Sequence, residues 1–177
     1  DDSNGHMDRA VRDARPKEME KALNKLPPGT KVVLIPWAVP AWRHNQTAPQ
    51  IVNKWKRGDD YDDFSLVGGA KLDPPVWISA GPEAVEEIMK GIRAQVAAPG
   101  GTDWRQPFRY AMEATPPPEV IFVMTDGQIP PKGVGKAMGA IDSALKRANT
   151  IPVVNCLWIE NPKMKGDELK KIASKYK

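Results

Sequence analysis

Apolar residues form three continuous runs along the chain, and each run has the length of a strand. The runs are KVVLIPWAV at 31–39, EVIFVM at 119–124, which the polar turn TDG follows, and IPVVNCLWI at 151–159. They are rich in β-branched residues. Continuous apolar runs of this kind are typical of strands buried on both faces, as in a parallel sheet. A shorter run, VWIS at 76–79, predicts one further short strand.

Segments with helical periodicity separate these runs. The clearest helix is predicted for 82–97, where apolar residues recur at helical spacing on one stripe. Further helices are predicted for 16–26, ended by Pro27-Pro28-Gly29, for the segment that follows GGTD at 100–103, for 132–149 and for 166–176. Strands that alternate with helices predict an α/β fold, a three-layer Rossmann-like arrangement with a mostly parallel central sheet flanked by helices.

The segment from about 40 to 75 interrupts this alternation. Proline, glycine, asparagine and aspartate occur throughout it, and four aromatic residues could anchor it. Loops of this length are uncommon in compact domains and are usually functional or disordered. With 177 residues, the chain is most simply one domain, 1–177, that carries a long insertion at about 40–75.

Composition and charge narrow the function classes. Hydrophobic content of 41% and charged content of 27% are ordinary for a globular protein, and no apolar run approaches the roughly 18 residues of a membrane span. The net charge is +4, and acidic and basic residues are mostly interspersed along the chain. The basic group at 54–57 is followed by acidic residues at 59–63. We therefore expect no nucleic-acid partner. The single cysteine, Cys156, excludes an internal disulfide and is expected to be a core thiol.

Two polar turns occupy positions where α/β sheets bind ligands, namely beyond the carboxyl ends of strands or near them. The first is GGTD at 100–103, and the second is TDG at 125–127, which follows a predicted strand directly. Asp126 would be held rigidly at the end of a buried strand. The simpler alternatives are a helix cap formed by Thr102 or Asp103 and a structural turn at Asp126.

The segment PGGTDWRQPFRYAMEATPPPEVIFVMTDGQ at 99–128 resembles the second half of a von Willebrand factor A domain of the bacterial type. KLPPGTKVVLIPW at 25–37 resembles the end of the first helix and the second strand of that family. Residues 81–103, 151–159 and 168–177 resemble its later segments. The resemblance covers most of the chain except the insertion at about 40–75.

The resemblance implies a metal-ion-dependent adhesion site, in which three loops hold one divalent cation. The cation is usually Mg²⁺, for which Mn²⁺ or Ca²⁺ could substitute. Thr102 matches the hydroxyl of the second loop, and Asp126 matches the carboxylate of the third. Such a site would bind a protein partner through an acidic side chain of that partner. The family also favours an extracytoplasmic location or a place in a larger surface or envelope protein.

The first loop of the family has the pattern Asp-x-Ser-x-Ser, and here DDSNGHM at 1–7 departs from it. One register places Asp2, Asn4 and His6 at the metal-binding positions, and another begins at Asp1 and keeps Ser3. The segment could be a degenerate metal loop, a loop downstream of a strand that precedes Asp1, or a cloning remnant. The family's first and last strands are not expected within this chain.

Three functions follow from these observations. The first is a non-enzymatic protein-binding module of von Willebrand factor A type. The second is a metal-independent scaffold or assembly domain of a larger protein, because exposed sheet edges invite oligomers or strand exchange. The third, an α/β hydrolase or phosphatase, is disfavoured because Gln128 stands where phosphatases carry a second aspartate. The sequence also contains no Gly-x-Ser-x-Gly motif.

Overall fold

The computed structural model describes residues 9–37, 41, 43, 46, 54–57, 64–93, 103–125, 133–158 and 167–176. The helices are α1 Arg9–Asn24, α2 Pro82–Arg93, α3 Arg105–Ala111, α4 Gly133–Ala148 and α5 Asp167–Lys175. The strands are β1 Lys31–Val32, β2 Trp55–Arg57, β3 Phe64–Leu66, β4 Ile78–Ser79, β5 Val120–Thr125 and β6 Val153–Trp158. One 3₁₀ turn, Val67–Gly69, follows β3.

The described strands form three two-stranded pieces of sheet. β5 and β6 are parallel, with a register that runs from Val120 opposite Val153 to Thr125 opposite Trp158. β1 pairs with β4 and β2 pairs with β3, both antiparallel. The mixture of helices and strands agrees with the predicted α/β class. However, within the described residues there is one parallel pair beside two antiparallel pairs, where the sequence predicts a single, mostly parallel sheet.

The unit β5–α4–β6 forms the centre of the main core cluster, to which α3 and α5 also contribute. Two parallel strands need a crossover connection, and the sixteen-residue α4 spans most of the chain between them. Phe108 of α3, Ile141 of α4 and Ile172 of α5 are fully buried in one cluster with Val123 and Val154 of the strands. The apolar periodicities of these segments predict this packing, because each helix presents one stripe to the same face of the strand pair.

The predicted strand at 31–39 is regular only at its beginning. β1 covers Lys31–Val32, and the described part of the run has one further bridge, between Trp37 and Ala41. Pro36 lacks the amide hydrogen that a ladder needs, and β4 offers only two residues to pair with. An apolar run therefore predicted the location of this strand but not its paired length.

The first helix is longer than its periodicity predicts. α1 begins at Arg9, seven residues before the predicted start, and contains Pro16. Its predicted end is confirmed, because the turn Pro27–Thr30 closes with a 3.1 Å bond from the Thr30 N–H to the Pro27 carbonyl. Gly29 has φ +81° in this turn, the left-handed value that the third position of a type II turn requires.

Two further predictions concern the insertion and the remaining helices. The described part of 40–75 contains the hairpin β2–β3, whereas the sequence predicted irregular structure there. α2 begins at the predicted residue Pro82 and is described as far as Arg93, and the predicted residues 94–97 lie outside the described part of the chain. α4 and α5 confirm the predicted helices to within one residue at each end. Asn149, at φ +51°, follows α4 in the left-handed conformation that commonly ends a helix. None of the described helices is long and apolar enough to cross a membrane.

Candidate functional site

Asp103, the last residue of the first candidate turn GGTD, is joined by its side chain to the start of α3. Asp103 is 2% exposed, and its carboxylate accepts from the Arg105 backbone N–H at 3.0 Å and from Arg105 Nε at 2.9 Å. Arg105 Nη2 and Gln106 Nε2 donate to the other oxygen at 2.9 Å and 3.2 Å. Asp103 thus accepts the backbone bond near the start of α3 that the sequence predicts for one of its two cap candidates, and Trp104 lies between it and the helix. Thr102, the other candidate, lies outside the described residues. Both oxygens of Asp103 accept bonds from α3 residues, so its carboxylate holds the start of α3.

Trp104 connects the start of α3 to the end of the 31–37 segment. Its side chain is 2% exposed, and its ring meets that of Trp37 edge to face, with centroids 5.2 Å apart. Trp37 is the last residue of the described apolar run that begins with β1. The start of α3, and with it the residue that follows Thr102, therefore lies at the carboxyl end of that run.

The second candidate turn begins where β5 ends. Thr125 is the last residue of β5, is buried, and lies opposite Trp158 in the parallel register. Because parallel strands end at the same edge of a sheet, the residues that follow β5 and β6 leave from that edge. Asp126 is the residue that follows Thr125.

The five predicted metal ligands lie outside the described residues. They are Asp2, Asn4, His6, Thr102 and Asp126. For two of them, the adjoining residue is described and buried, namely Asp103 beside Thr102 and Thr125 beside Asp126. Among the residues that the structure does describe, no group of three or more histidine, cysteine, aspartate or glutamate side chains is arranged to hold a metal ion.

A cluster around Tyr110 was not predicted from the sequence. The Tyr110 hydroxyl donates to the Asp73 carbonyl at 2.6 Å, and Arg43 Nε donates to the Pro74 carbonyl at 2.7 Å. Burial raises the pKa of Tyr110 to about 12. The Tyr110 bond joins the insertion to α3 across 37 positions of sequence, and the Arg43 bond joins two parts of the insertion that are 31 positions apart. Trp104, Phe108 and Met112 form the core-facing stripe of α3, and Tyr110 lies on another side of the helix, so periodicity indicated neither its burial nor this partner.

A cavity of about 380 Å³ lies beside this cluster. Its walls are mainly apolar, with Arg43 and Glu87 as the charged residues; the apolar lining consists of Val33, Leu34, Pro75, Val76 and Ile78. Arg43 is tied to the backbone of Pro74, so its guanidinium braces the wall of the cavity. None of the described residues that line the cavity belongs to the two candidate turns.

A second unpredicted cluster fastens the end of the chain to α4. The Tyr176 hydroxyl lies 2.8 Å from Asp142 Oδ1, and Lys175 Nζ donates to Asp142 Oδ2 at 2.6 Å. The hydrogen bond from Lys175 lowers the pKa of the Asp142 carboxyl. Burial, followed by the bond to Asp142, raises the pKa of Tyr176 to about 12. This arrangement positions α5 and carries no chemistry of its own.

Comparison of the chain with models of known protein families, with curated proteins and with solved structures finds no match.

Proposed function

We propose that the protein is a non-enzymatic protein-binding module of von Willebrand factor A type. It engages its partner at the carboxyl end of β5 through a divalent cation, most simply Mg²⁺. Thr102 and Asp126 hold this cation, together with Asp2, Asn4 and His6 from the first loop. The bound cation accepts an acidic side chain of the partner protein.

The observation that carries the proposal is that the residue beside each of the two main ligands is held in place. Asp103, next to Thr102, is fixed by Arg105 and Gln106. Thr125, next to Asp126, is buried at the last position of β5. A ligand that adjoins a fixed residue loses less conformational freedom when it binds, which favours binding by few direct ligands.

The donor set suits Mg²⁺ in part. Mg²⁺ prefers hard oxygen ligands in an octahedron, and a hydroxyl, an amide oxygen and carboxylates meet this preference. These donors are Thr102, Asn4, Asp2 and Asp126. The imidazole of His6 is a softer ligand that Mg²⁺ rarely selects. We therefore assign the main role to Thr102 and Asp126.

Calorimetric titration with Mg²⁺ and with Mn²⁺ tests the proposal. We expect saturable heat from the unmodified chain and its loss in Asp126→Ala and in Thr102→Ala. Asp167→Ala is the matched control, because Asp167 is an exposed carboxylate whose partner is the neighbouring Lys170. Absence of heat from the unmodified chain would contradict cation binding, and an equal loss in the control would contradict the assignment of Thr102 and Asp126 as ligands. Turnover of phosphatase or esterase substrates that Asp126→Asn abolishes would contradict the non-enzymatic assignment.

A metal-independent scaffold or assembly role is the second candidate. It is favoured by the apolar face of β5 and β6, on which Phe122 and Leu157 are exposed. If this role is correct, Asp126→Ala would leave the association of the protein with its partner intact. A charged residue substituted on the exposed face of β5 and β6 would weaken that association.

A further inference from the structure

One edge of β5 pairs with β6, and no described strand pairs with the other. The Val153 N–H donates to the Glu119 carbonyl at 2.9 Å, which fixes the side that faces β6. Backbone groups alternate in direction along a strand. The N–H and C=O groups of Val120, Phe122 and Met124 therefore point away from β6.

The outer edge of β6 differs from that of β5. The Val154 N–H points away from β5 and donates to the Tyr176 carbonyl at 2.9 Å. The chain itself thus covers part of that edge. Of the two six-residue strands, β5 is therefore the one whose outer edge is covered by no described segment of the chain.

One face of the same strand pair is also uncovered. Phe122 is 64% exposed, and it shares its face with exposed residues of both strands, namely Val120, Val153 and Leu157. The opposite face, with Val123 and Val154, belongs to the core. Parallel strands are normally buried on both faces, so an exposed phenylalanine at the centre of β5 indicates a surface that another element covers.

We infer that the open edge of β5 pairs with β5 of a second copy of this chain. Natural edge strands are usually protected by charges, proline, bulges or short length. β5 has six residues, Val120 to Thr125, with neither a charged residue nor a proline. Two copies of this edge can therefore approach each other without charge repulsion. Because β5 carries no charged residue, it has no group that would favour a partner of opposite charge.

The edge is complementary to itself. A two-fold axis at Phe122 makes the two β5 strands antiparallel and places Val120 of one copy opposite Met124 of the other. All of these residues direct their backbone groups to the open edge, so each opposed pair can exchange both of its hydrogen bonds. The two Phe122 side chains then lie opposite each other on the same face, which reduces the exposed apolar surface. The pairing is closed and produces a dimer.

Light scattering over a dilution series tests this inference on the whole chain. We expect twice the monomer mass at high concentration and dissociation on dilution. Phe122→Lys places a charge at the centre of the pairing, and because this side chain is exposed, the fold should survive. It should shift the dissociation constant upward by at least tenfold. Val67→Lys is the matched control, because Val67 is 44% exposed on the 3₁₀ turn, and it should leave the dimer unchanged.

Amide hydrogen exchange supplies a second readout. In the dimer, the amides of Val120, Phe122 and Met124 should be protected, and the protection should disappear on dilution. A wild-type monomer at all concentrations, or a dimer that Phe122→Lys does not weaken, would overturn the inference. A monomer in which these amides are protected would also overturn it, because another segment would then occupy the edge. None of these outcomes depends on cation binding.

Discussion

Asp103 is the residue that holds the start of α3 through its side chain. Removing its carboxylate leaves Arg105 and Gln106 without this acceptor at the start of α3. We expect Asp103→Ala to lower the free energy of unfolding by about 2–3 kcal/mol, since a helix-start acceptor and a largely buried ion pair are lost together. Urea unfolding measures this change. Asp167→Ala, which removes an exposed carboxylate, should cost no more than about 0.5 kcal/mol.

The raised pKa values of Tyr110 and Tyr176 predict how the free energy of unfolding depends on pH in the alkaline range. Burial raises the pKa of each phenol from 10.0 to about 12. An acid whose pKa is higher in the folded state stabilises the fold fully below the unfolded pKa, and this contribution is lost as pH rises through the folded value. Stability should therefore fall between pH 10 and about 12.

The ultraviolet absorbance of the phenolate checks this prediction. Two tyrosines should ionise late in the folded protein, and Tyr110→Phe and Tyr176→Phe should each remove one of them. If both phenols ionised near pH 10 in the folded state, the burial of these side chains would be contradicted.

At the level of elements, β5, α4 and β6 were predictable because the hydrophobic pattern of each segment matches the way in which that segment packs in the core. Continuous apolar runs marked the strands, and the apolar stripe that contains Ile141 marked the helix. The start of α1 was not predictable, because Pro16 normally marks a first turn and here lies within the helix. The hairpin β2–β3 was missed because three-residue strands are too short to show alternation.

The attachment of α5 to the sheet can be tested with one core substitution. Ile172 is fully buried in the main cluster, so Ile172→Ala removes apolar contacts and leaves a cavity. We expect a loss of about 2–4 kcal/mol in the free energy of unfolding. Ser174→Ala, at an exposed position of the same helix, is the control and should be nearly neutral. Equal effects of the two substitutions would mean that α5 does not pack as described.

At the scale of the whole molecule, periodicity predicted the α/β class but not how the strands pair. Apolar character determines which strands are buried, but partners depend on contacts between distant segments. Trp37 against Trp104 and Tyr110 with Asp73 are such contacts, and neither has a local signal in the sequence. The candidate site was predictable only as two polar turns, and the anchoring by Asp103 and Thr125 came from the structure.

The central claim is that the turns that contain Thr102 and Asp126 bind one cation together. Paramagnetic broadening of backbone amide signals by Mn²⁺ tests it most directly. The account predicts that low Mn²⁺ broadens the Asp103 and Thr125 signals together and that Asp126→Ala abolishes both effects. The Val120 signal should stay sharp, because a rise of about 3.3 Å per residue places Val120 about 16 Å from Thr125. Broadening of neither signal, or of only one, would contradict the shared site.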